Sequence, residues 1–425
     1  MTQNNFHTAS WLNIPEDSDF PLYNIPFGMA ILKGNKKRAV TRIGNYIINL
    51  NSLNQSGFFK NTFVDKTDIF KQENLNSFIS LGKEKTGIVR NRIAELFSEG
   101  TTELKSQTHI LEEIIFQPND VKMIMPVKVG DYTDFYSSME HATNVGKMFR
   151  DPENALLPNW KHLPVGYHGR ASSIVISGTP LHRPKGQLKY NDNPNPLFGP
   201  TKEMDFELEL AFITCNNTKL GESISVDKAE DSIFGMLLFN DMSARDIQRW
   251  EYVPLGPFLS KSFGSVVSPW IVTLDALEPF RTKGPVQEPE VLPYLKFEGN
   301  KNFDISLEAV IKPANSNETV VCKTNFKHMY WNMAQQLAHQ TINGCNINSC
   351  DMYASGTISG PDAGSYGSML ELAWKGQNPI QLNNGESRVF LEDNDTIIIR
   401  GFAAKDNLRI GFGEVSTQVL PSIPL

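Results

Sequence analysis

The sequence contains one stretch, Asp205-Phe206-Glu207-Leu208-Glu209-Leu210, in which acidic and apolar side chains alternate strictly. Because successive side chains of a β-strand point to opposite faces of the sheet, this stretch predicts a strand with three carboxylates on one face. Like charges so close together repel one another unless water or a cation faces them. The stretch alone fits either the solvent-facing side of an edge strand or a site for a hard cation such as Ca²⁺ or Mg²⁺, which prefer oxygen ligands.

A second acidic position follows an apolar run further along the chain. Residues 233–239 are apolar throughout apart from Gly235, which is typical of a buried strand, and the run ends in Asn240-Asp241. Ser243 then predicts the cap of a helix, and this helix is either an ordinary surface helix or part of a site. One face of it would carry Arg245, Gln248 and, one turn further, Tyr252.

A third cluster of polar and aromatic side chains begins at Gly130. Residues 130–136 contain two aspartates and two tyrosines, and His141 follows shortly after them. A lone histidine is more often a hydrogen-bonded structural residue than a catalyst. The role of His141 therefore depends on the groups that the fold brings beside it.

Strand-like alternation and Gly/Pro turns dominate the chain, so we expect a mainly β (α+β) fold. In residues 1–120, a strand at 39–50, a hairpin turn at 36–38 and an amphipathic helix at 86–97 suggest a small β-barrel-like domain. The turn at 116–120 divides it from a larger region, 121–425, which suggests a sandwich or barrel. Strands are expected there at 173–177, 207–214, 233–240, 270–274, 370–374 and, as a hairpin, 396–401 with 407–412.

The composition limits the possible partners. The 425 residues carry a net charge of −7 without a long run of lysine or arginine, so we expect neither nucleic acid nor a membrane as partner. Residues 1–20 lack the basic start and apolar stretch of a signal peptide, and four cysteines in so long a chain form no disulfide framework. We therefore expect a reducing, cytoplasmic location.

Several catalytic motifs are missing from the sequence. It has no G-x-S-x-G, H-E-x-x-H or P-loop pattern and no Cys/His spacing typical of zinc. These absences argue against a serine hydrolase of the nucleophile-elbow type, a zinc protease and a P-loop nucleotide enzyme.

Longer segments resemble one family. Residues 131–136 with His141-Ala142-Thr143-Asn144-Val145-Gly146 are similar to the first active-site segment of the fumarylacetoacetases, and Leu163-Pro164-Val165-Gly166-Tyr167-His168-Gly169-Arg170 is similar to a later one. Residues 240–256, 261–264, 356–361 and 368–376 resemble further segments in the same order. The resemblance runs from about Trp11 to the end of the chain.

The resemblance implies a fold and an activity. The fold is a small N-terminal SH3-like barrel domain and a larger C-terminal mixed β-sandwich roll. Members of the family are cytosolic homodimers that hydrolyse a small-molecule β-diketo acid, 4-fumarylacetoacetate, to fumarate and acetoacetate. This reaction is the last step of tyrosine and phenylalanine breakdown.

The resemblance also implies roles for individual residues. The divalent-metal carboxylates of the family fall on Asp134, Glu207, Glu209 and Asp241, so Asp205 is not among them. The general base falls on His141 with Glu371 as its partner, and the oxyanion contacts fall on Arg245, Gln248 and Lys261. Substrate contacts fall on Tyr136, Arg150, Tyr167, Gln248, Tyr252 and Thr357. A first cation, Ca²⁺ or Mg²⁺, would bind the carboxylates, and a second, usually Mg²⁺, would lie near Asp241, Lys261 and Ser265, where relatives often carry Thr.

These roles match the chemistry of breaking a carbon–carbon bond with water. Imidazole is a base near neutral pH, a carboxylate can orient it, and fixed donors can stabilise a tetrahedral oxyanion. A cation can hold both oxygens of a β-dicarbonyl group. Two rival interpretations remain: a hydratase, decarboxylase or acylpyruvate hydrolase on the same scaffold, and a non-catalytic metal-binding protein.

Overall fold

The computed structural model describes residues 9–190 and 193–424. The fold is rich in β-sheet with short helices, as the alternation of the sequence predicts. Residues 1–8, which belong to the segment without signal-peptide features, lie outside the described part of the chain. Among the residues described, none of the helices has the length and apolar character that crossing a bilayer requires.

The N-terminal region is built on one antiparallel sheet of five strands in the order β4-β3-β2-β1-β5. Its strands are β1 (Phe27–Leu32), β2 (Lys36–Ile43), β3 (Tyr46–Asn49), β4 (Ile115–Phe116) and β5 (Lys122–Ile124). Its helices are α1 (Leu50–Gln55), α2 (Asn76–Ile79), α3 (Lys83–Phe97) and α4 (Thr108–Ile114).

The N-terminal predictions are confirmed in part. The helix expected at 86–97 lies within α3. The single strand expected at 39–50 is wrong, because β2 and β3 form a hairpin that turns at Gly44, whose φ of 56° suits glycine. The hairpin turn expected at 36–38 is also wrong, because Lys36 already pairs with Leu32 across β1 and β2.

The C-terminal region contains two larger sheets. The first has the order β7-β6-β22-β13-β14-β16-β8, with β17 also pairing with β14, and the second has the order β21-β20-β25-β26-β9. The strands are β6 (Tyr132–Phe135), β7 (Gly166–His168), β8 (Ile174–Ile176), β9 (Leu181–His182), β10 (Lys185–Leu188), β11 (Leu197–Pro200), β12 (Met204–Asp205), β13 (Leu208–Thr214), β14 (Ile233–Asp241), β15 (Ser243–Ala244), β16 (Ser265–Val267), β17 (Val272–Thr273), β18 (Arg281–Thr282), β19 (Asn302–Phe303), β20 (Ser306–Lys312), β21 (Thr319–Asn325), β22 (Met352–Ala354), β23 (Ile380–Gln381), β24 (Ser387–Arg388), β25 (Thr396–Lys405) and β26 (Leu408–Leu420). The helices are α5 (Met139–Phe149), α6 (Arg245–Glu251), α7 (Leu274–Leu277), α8 (Met333–Thr341) and α9 (Met369–Leu372).

The first of these sheets is buried on both faces. Leu208 and Leu210 of β13 pack into a core shared with the second sheet. Ala211, which points to the opposite face of β13, and Phe239 of β14 pack instead into a core shared with the N-terminal region. This double burial explains why residues 233–239 are apolar without alternation.

Two predictions for the C-terminal region are wrong. Residues 370–374 do not form a strand, because Ser368 caps the short helix α9 by accepting a hydrogen bond from the Glu371 amide at 3.4 Å. Ser243 does not cap α6, because it pairs with Asp205 in the small β12–β15 ladder and Ala244 stands at the cap position. The C-terminal hairpin of β25 and β26 is confirmed.

The close approach of β17 to its antiparallel neighbour β14 generates a stability prediction. A Cβ on Gly235 would stand 2.3 Å from the Val272 carbonyl oxygen, so Gly235→Ala forces the two backbones apart. We expect the free energy of unfolding to fall by about 1–3 kcal/mol. Chemical denaturation monitored by circular dichroism measures this change.

The matched control is Gly364→Ala, since a Cβ there has no heavy atom of the described chain within 4 Å. Equal stability of the Gly235→Ala and Gly364→Ala proteins would contradict the packing argument.

Candidate functional site

Four buried carboxylates meet at one place in the fold. Oxygens of Asp134, Glu207, Glu209 and Asp241 all lie within 4.8 Å of one another. Three strands bring them there: β6 carries Asp134, β13 begins at the residue after Glu207 and carries Glu209, and β14 ends at Asp241.

The alternation of the strands puts the four carboxylates on one face. Asp241 is two residues beyond Phe239 and therefore shares its face, which is the face that packs against the N-terminal region. Asp134 is paired with Ala354 of β22, and Ala354 is paired in turn with Ala211 of β13. The small Ala354 side chain between these strands leaves room for the carboxylates to converge.

Two positively charged side chains contact the cluster. Lys261 Nζ donates hydrogen bonds to Glu207 Oε2 and, at 2.8 Å, to Asp241 Oδ2. Arg245 Nη1 donates to Glu207 Oε1 at 2.7 Å. Ser265 Oγ adds a neutral donor at 2.6 Å from Asp241 Oδ1. Lys261 and Ser265 therefore both hold Asp241.

The buried carboxylates differ in the direction in which their surroundings shift their pKa values. Burial and the neighbouring Asp241 raise the pKa of Asp134 well above its usual range, and burial with Asp134 nearby does the same to Glu209. Burial also acts on Glu207, but Lys261 and Arg245 outweigh it and hold the pKa of Glu207 below its usual range. Glu207 therefore gives up its proton more readily than an ordinary glutamate, whereas Asp134 and Glu209 hold theirs more tightly than ordinary carboxyl groups.

The site has unused ligand atoms that fit a divalent metal. Within the described part of the chain, Asp134 Oδ1 and Glu209 Oε1 are buried without a hydrogen-bond partner. Buried oxygens without partners destabilise a protein unless something binds them. An all-oxygen ligand set of this kind suits Ca²⁺ or Mg²⁺ better than zinc.

Asp205 is not one of the four clustered carboxylates. Its Oδ2 accepts a hydrogen bond from Arg245 Nε at 2.7 Å, and its Oδ1 accepts one from the Phe206 amide at 2.7 Å. The strand expected from 207 to 214 starts only at Leu208, and Asp205 belongs to a separate short ladder. The interpretation that placed Asp205 on the same carboxylate face is therefore wrong.

His141 and Glu371 form a buried pair next to the cluster. His141 Nδ1 lies 2.6 Å from Glu371 Oε2. The carboxylate also accepts hydrogen bonds from Asn144 Nδ2 at 3.0 Å, the Ser359 hydroxyl at 2.9 Å and the Ser368 hydroxyl at 2.9 Å. Burial raises the pKa of Glu371, but His141 and these donors outweigh it and hold that pKa below its usual range.

This arrangement sets the direction in which His141 can act. An ionised Glu371 accepts a hydrogen bond from the Nδ1–H group of His141. In the neutral ring Nε2 therefore carries no proton and can accept one. The ring is held from the side by Tyr136, whose centroid is 5.2 Å away at an interplanar angle of 78°. His141 can therefore take a proton from a group in the adjoining cavity.

The clusters open into one cavity of about 600 Å³. Predicted site residues that line it are Asp134, Tyr136, His141, Arg150, Tyr167, Glu207, Arg245, Gln248, Tyr252, Lys261 and Thr357. Glu209, Asp241, Ser265 and Glu371 are buried behind this wall. Gln248 Oε1 accepts from Arg245 Nη1 at 3.1 Å, which confirms that these two side chains share a helix face.

The comparisons with known proteins agree over almost the entire chain. The model described as "Fumarylacetoacetate (FAA) hydrolase C-terminal" matches residues 131–420, and "Fumarylacetoacetase N-terminal" matches residues 23–126. The chain belongs to the fumarylacetoacetate hydrolase family. It is 49% identical to the fumarylacetoacetase of Homo sapiens over 417 residues, covering 97% of this chain and 99% of the human protein. It is 50% identical to that of Dictyostelium discoideum, covering 97% and 98%.

A solved structure supports the same fold. The fumarylacetoacetate hydrolase of Exiguobacterium antarcticum superposes with a TM-score of 0.52 and covers 93% of this chain and 99% of its own. Because the two sequences are only 15% identical, this superposition shows a shared fold and nothing further. The family membership and the sheet-rich α+β fold expected from the resemblance are confirmed.

The residues that support Glu371 were missed by sequence reasoning. Asn144, Ser359 and Ser368 come from three separate segments and converge only on the Glu371 carboxylate. All three lie within stretches that resemble the family, but nothing in their spacing indicates a common partner. The backbone amide of Gly356, which donates to Glu209 Oε2 at 2.9 Å, carries no side-chain pattern at all.

The raised pKa values of Asp134 and Glu209 generate a prediction about metal loading. Because their protonated forms compete with a cation, binding Ca²⁺ or Mg²⁺ to the metal-free protein should release protons, and affinity should fall as the pH falls. The fall should reach about tenfold per pH unit for each proton displaced. Titration calorimetry in two buffers of different ionisation enthalpy counts the released protons.

Glu209→Gln provides the control, because it removes one of the two titrating groups and should release fewer protons. Identical binding heats in both buffers for the unmodified protein would contradict the protonation pattern.

Proposed function

We propose that this protein hydrolyses the carbon–carbon bond of 4-fumarylacetoacetate to give fumarate and acetoacetate. The observation that supports this proposal most strongly is that the His141–Glu371 pair and the four-carboxylate cluster adjoin one cavity. The chain around them is about half identical to fumarylacetoacetases along nearly its full length. The protein is accordingly a hydrolase that acts on carbon–carbon bonds.

His141 acts as the general base in this proposal. Its Nε2 removes a proton from water, and the water oxygen attacks the carbonyl carbon beside the bond that breaks. Glu371 keeps the ring oriented and stabilises the imidazolium that forms, since the carboxylate is ionised and lies 2.6 Å from Nδ1. The imidazolium can then return its proton to the departing carbon.

Arg245, Gln248 and Lys261 stabilise the negative charge that develops on the attacked oxygen. Arg245 lines the cavity, and among the described residues its Nη2 has no hydrogen-bond partner although it is buried. A preorganised donor of this kind stabilises an oxyanion without rearranging, and losing one typically costs about 3 kcal/mol. Lys261 and Gln248 line the same cavity.

Asp134, Glu207, Glu209 and Asp241 hold a divalent cation in this proposal. When bound, the cation supplies Lewis-acid polarisation and a template for the two oxygens of the β-dicarbonyl group. Ca²⁺ and Mg²⁺ are both candidates for this site. A second cation, Mg²⁺, would lie near Asp241, Lys261 and Ser265.

The remaining predicted contacts bind the substrate. Arg150 supplies positive charge for a substrate carboxylate, and the neighbouring Ala155 carbonyl oxygen orients it by accepting bonds from Nε at 3.1 Å and Nη2 at 2.6 Å. Tyr136, Tyr167 and Tyr252 offer hydroxyl groups. Thr357 is buried and lines the cavity.

The proposal also includes the domain folds, oligomeric state, location and metabolic role that the family implies. They are an SH3-like barrel in residues 1–120, a sandwich roll in 121–425, a homodimer, a cytoplasmic location and a place at the last step of tyrosine and phenylalanine breakdown. Low-resolution scattering of the purified protein measures the oligomeric state directly.

Replacing the proposed base tests the mechanism. His141→Ala should lower kcat by about 10²–10⁴-fold with little change in KM, because it removes proton transfer and leaves most substrate contacts intact. Steady-state kinetics with fumarylacetoacetate measures both constants. His109→Ala is the control, since His109 is exposed on α4 and should keep full activity. Normal turnover by His141→Ala would refute the assignment of the base.

The first assay tests the substrate and the metal together. Purified protein mixed with fumarylacetoacetate should remove the diketone absorbance, a chelator should abolish this activity, and added Ca²⁺ or Mg²⁺ should restore it. Asp241→Ala should remain inactive and bind metal weakly, whereas Asp231→Ala, at an exposed position, should behave normally. Inactivity of folded, metal-loaded protein would discard the proposal, and short acylpyruvates would then be tested.

A further inference from the structure

Asp205 is a buried carboxylate with two sets of partners. It is 0% exposed. On one side it accepts a hydrogen bond from Arg245 Nε at 2.7 Å. On the other it accepts bonds from the backbone amides of Met369 at 2.7 Å and Leu370 at 3.0 Å. The proposed mechanism gives this carboxylate no role.

The second set of partners belongs to the helix that carries Glu371. Helix α9 has only four residues, from Met369 to Leu372, and Asp205 binds the amides of its first two. An isolated helix of this length is unstable in water, so tertiary contacts must hold it. Asp205 and the capping residue Ser368 supply such contacts immediately before Glu371.

The first set of partners belongs to the oxyanion and metal side of the site. Arg245 binds Asp205 through Nε and Glu207 through Nη1 at 2.7 Å, and among the described residues its buried Nη2 has no hydrogen-bond partner. The guanidinium group is planar, so fixing Nε also fixes where Nη2 points. One carboxylate thus contacts both the arginine that lines the cavity and the helix that carries the partner of His141.

We propose that Asp205 is a positioning residue that sets Arg245 and Glu371 relative to each other, and this inference rests on the proposed function. Without its negative charge, Arg245 would keep only the Nη1 hydrogen bonds to Glu207 and Gln248, and its guanidinium group could shift from its place in the cavity lining. Helix α9 would lose an acceptor of its first amides, and Glu371 would hold the His141 ring less firmly. Outer-shell partners of this kind typically change activity by about 10–100-fold.

Asp205→Asn tests the inference with little change in volume. The amide oxygen of Asn can still accept from Met369, but its NH₂ group would face the N–H donors of Arg245 and Leu370. We expect kcat to fall by about 10–100-fold. KM should change much less than kcat.

The matched control is Asp395→Asn. Asp395 is 1% exposed and accepts bonds from Arg388 Nε at 2.8 Å and the Glu392 amide at 2.8 Å, so it repeats the buried aspartate–arginine–amide pattern. It does not line the cavity of about 600 Å³. Asp395→Asn should lower thermal stability without lowering kcat. Equal kcat for the Asp205→Asn and wild-type proteins would overturn the inference.

A double-mutant cycle separates positioning from a general loss of stability. If Asp205 acts through Arg245 and Glu371, the Asp205→Asn change should lower kcat much less in an Arg245→Gln or Glu371→Gln background than in the wild type. A loss of the same size in all three backgrounds would show that Asp205 acts through neither residue, and the inference would fail.

Proton NMR provides a readout that does not depend on the substrate. The His141 Nδ1 proton, held 2.6 Å from Glu371, should give a far-downfield resonance that disappears in His141→Ala. This resonance should shift or broaden in Asp205→Asn and stay in place in Asp395→Asn. An unshifted resonance in Asp205→Asn would overturn the inference, even if fumarylacetoacetate proves not to be the substrate.

Discussion

Charge compensation among buried carboxylates is the constraint on which this structure depends. Asp134, Glu207, Glu209 and Asp241 share one buried site, and Lys261 bridges two of them. Ionised carboxylates cannot be buried together without opposite charge, because the low dielectric strengthens their repulsion and removes their hydration. The protein meets this requirement in part with its own lysine and arginine side chains and in part through the raised pKa values of Asp134 and Glu209.

The sheet makes this concentration of charge possible. Its two faces are both covered, one by the second C-terminal sheet and one by the N-terminal region. Carboxylates at the ends of β13 and β14 are therefore excluded from bulk water, although they are only two residues from the apolar positions of those strands. The same burial that makes the site costly in free energy gives its electrostatic interactions their strength.

Two hydrogen-bond networks lie side by side at the cavity that His141, Glu207 and Arg245 line. One network runs from His141 through Glu371 to the donors on that carboxylate, and the other runs from Asp241 through Lys261 and Glu207 to Arg245. Asp205 contacts both, through the start of α9 and through Arg245. The network around Glu371 holds an ionised partner for a base, and the network around Glu207 holds cations beside acids.

Local sequence patterns predicted elements whose partners lie nearby in the chain. The amphipathic period of residues 86–97 gave a helix, and the C-terminal hairpin followed from two strands and a short turn. The same reasoning failed where a single side chain decides the conformation. Gly44 breaks one expected strand into a hairpin, and Ser368 caps a helix where a strand was expected.

The sequence by itself determined the acidic character of residues 205–209, the buried strand that ends at Asp241 and, through long family-like segments, the candidate site residues. Only the tertiary structure decided which partners those residues have. The alternation at 205–209 put Asp205 with Glu207 and Glu209, whereas the break between β12 and β13 turns Asp205 toward Arg245 and α9. The physical reason is that periodicity fixes the face of a continuous strand, while charge pairing across segments far apart in the chain depends on how the strands are ordered in the sheet.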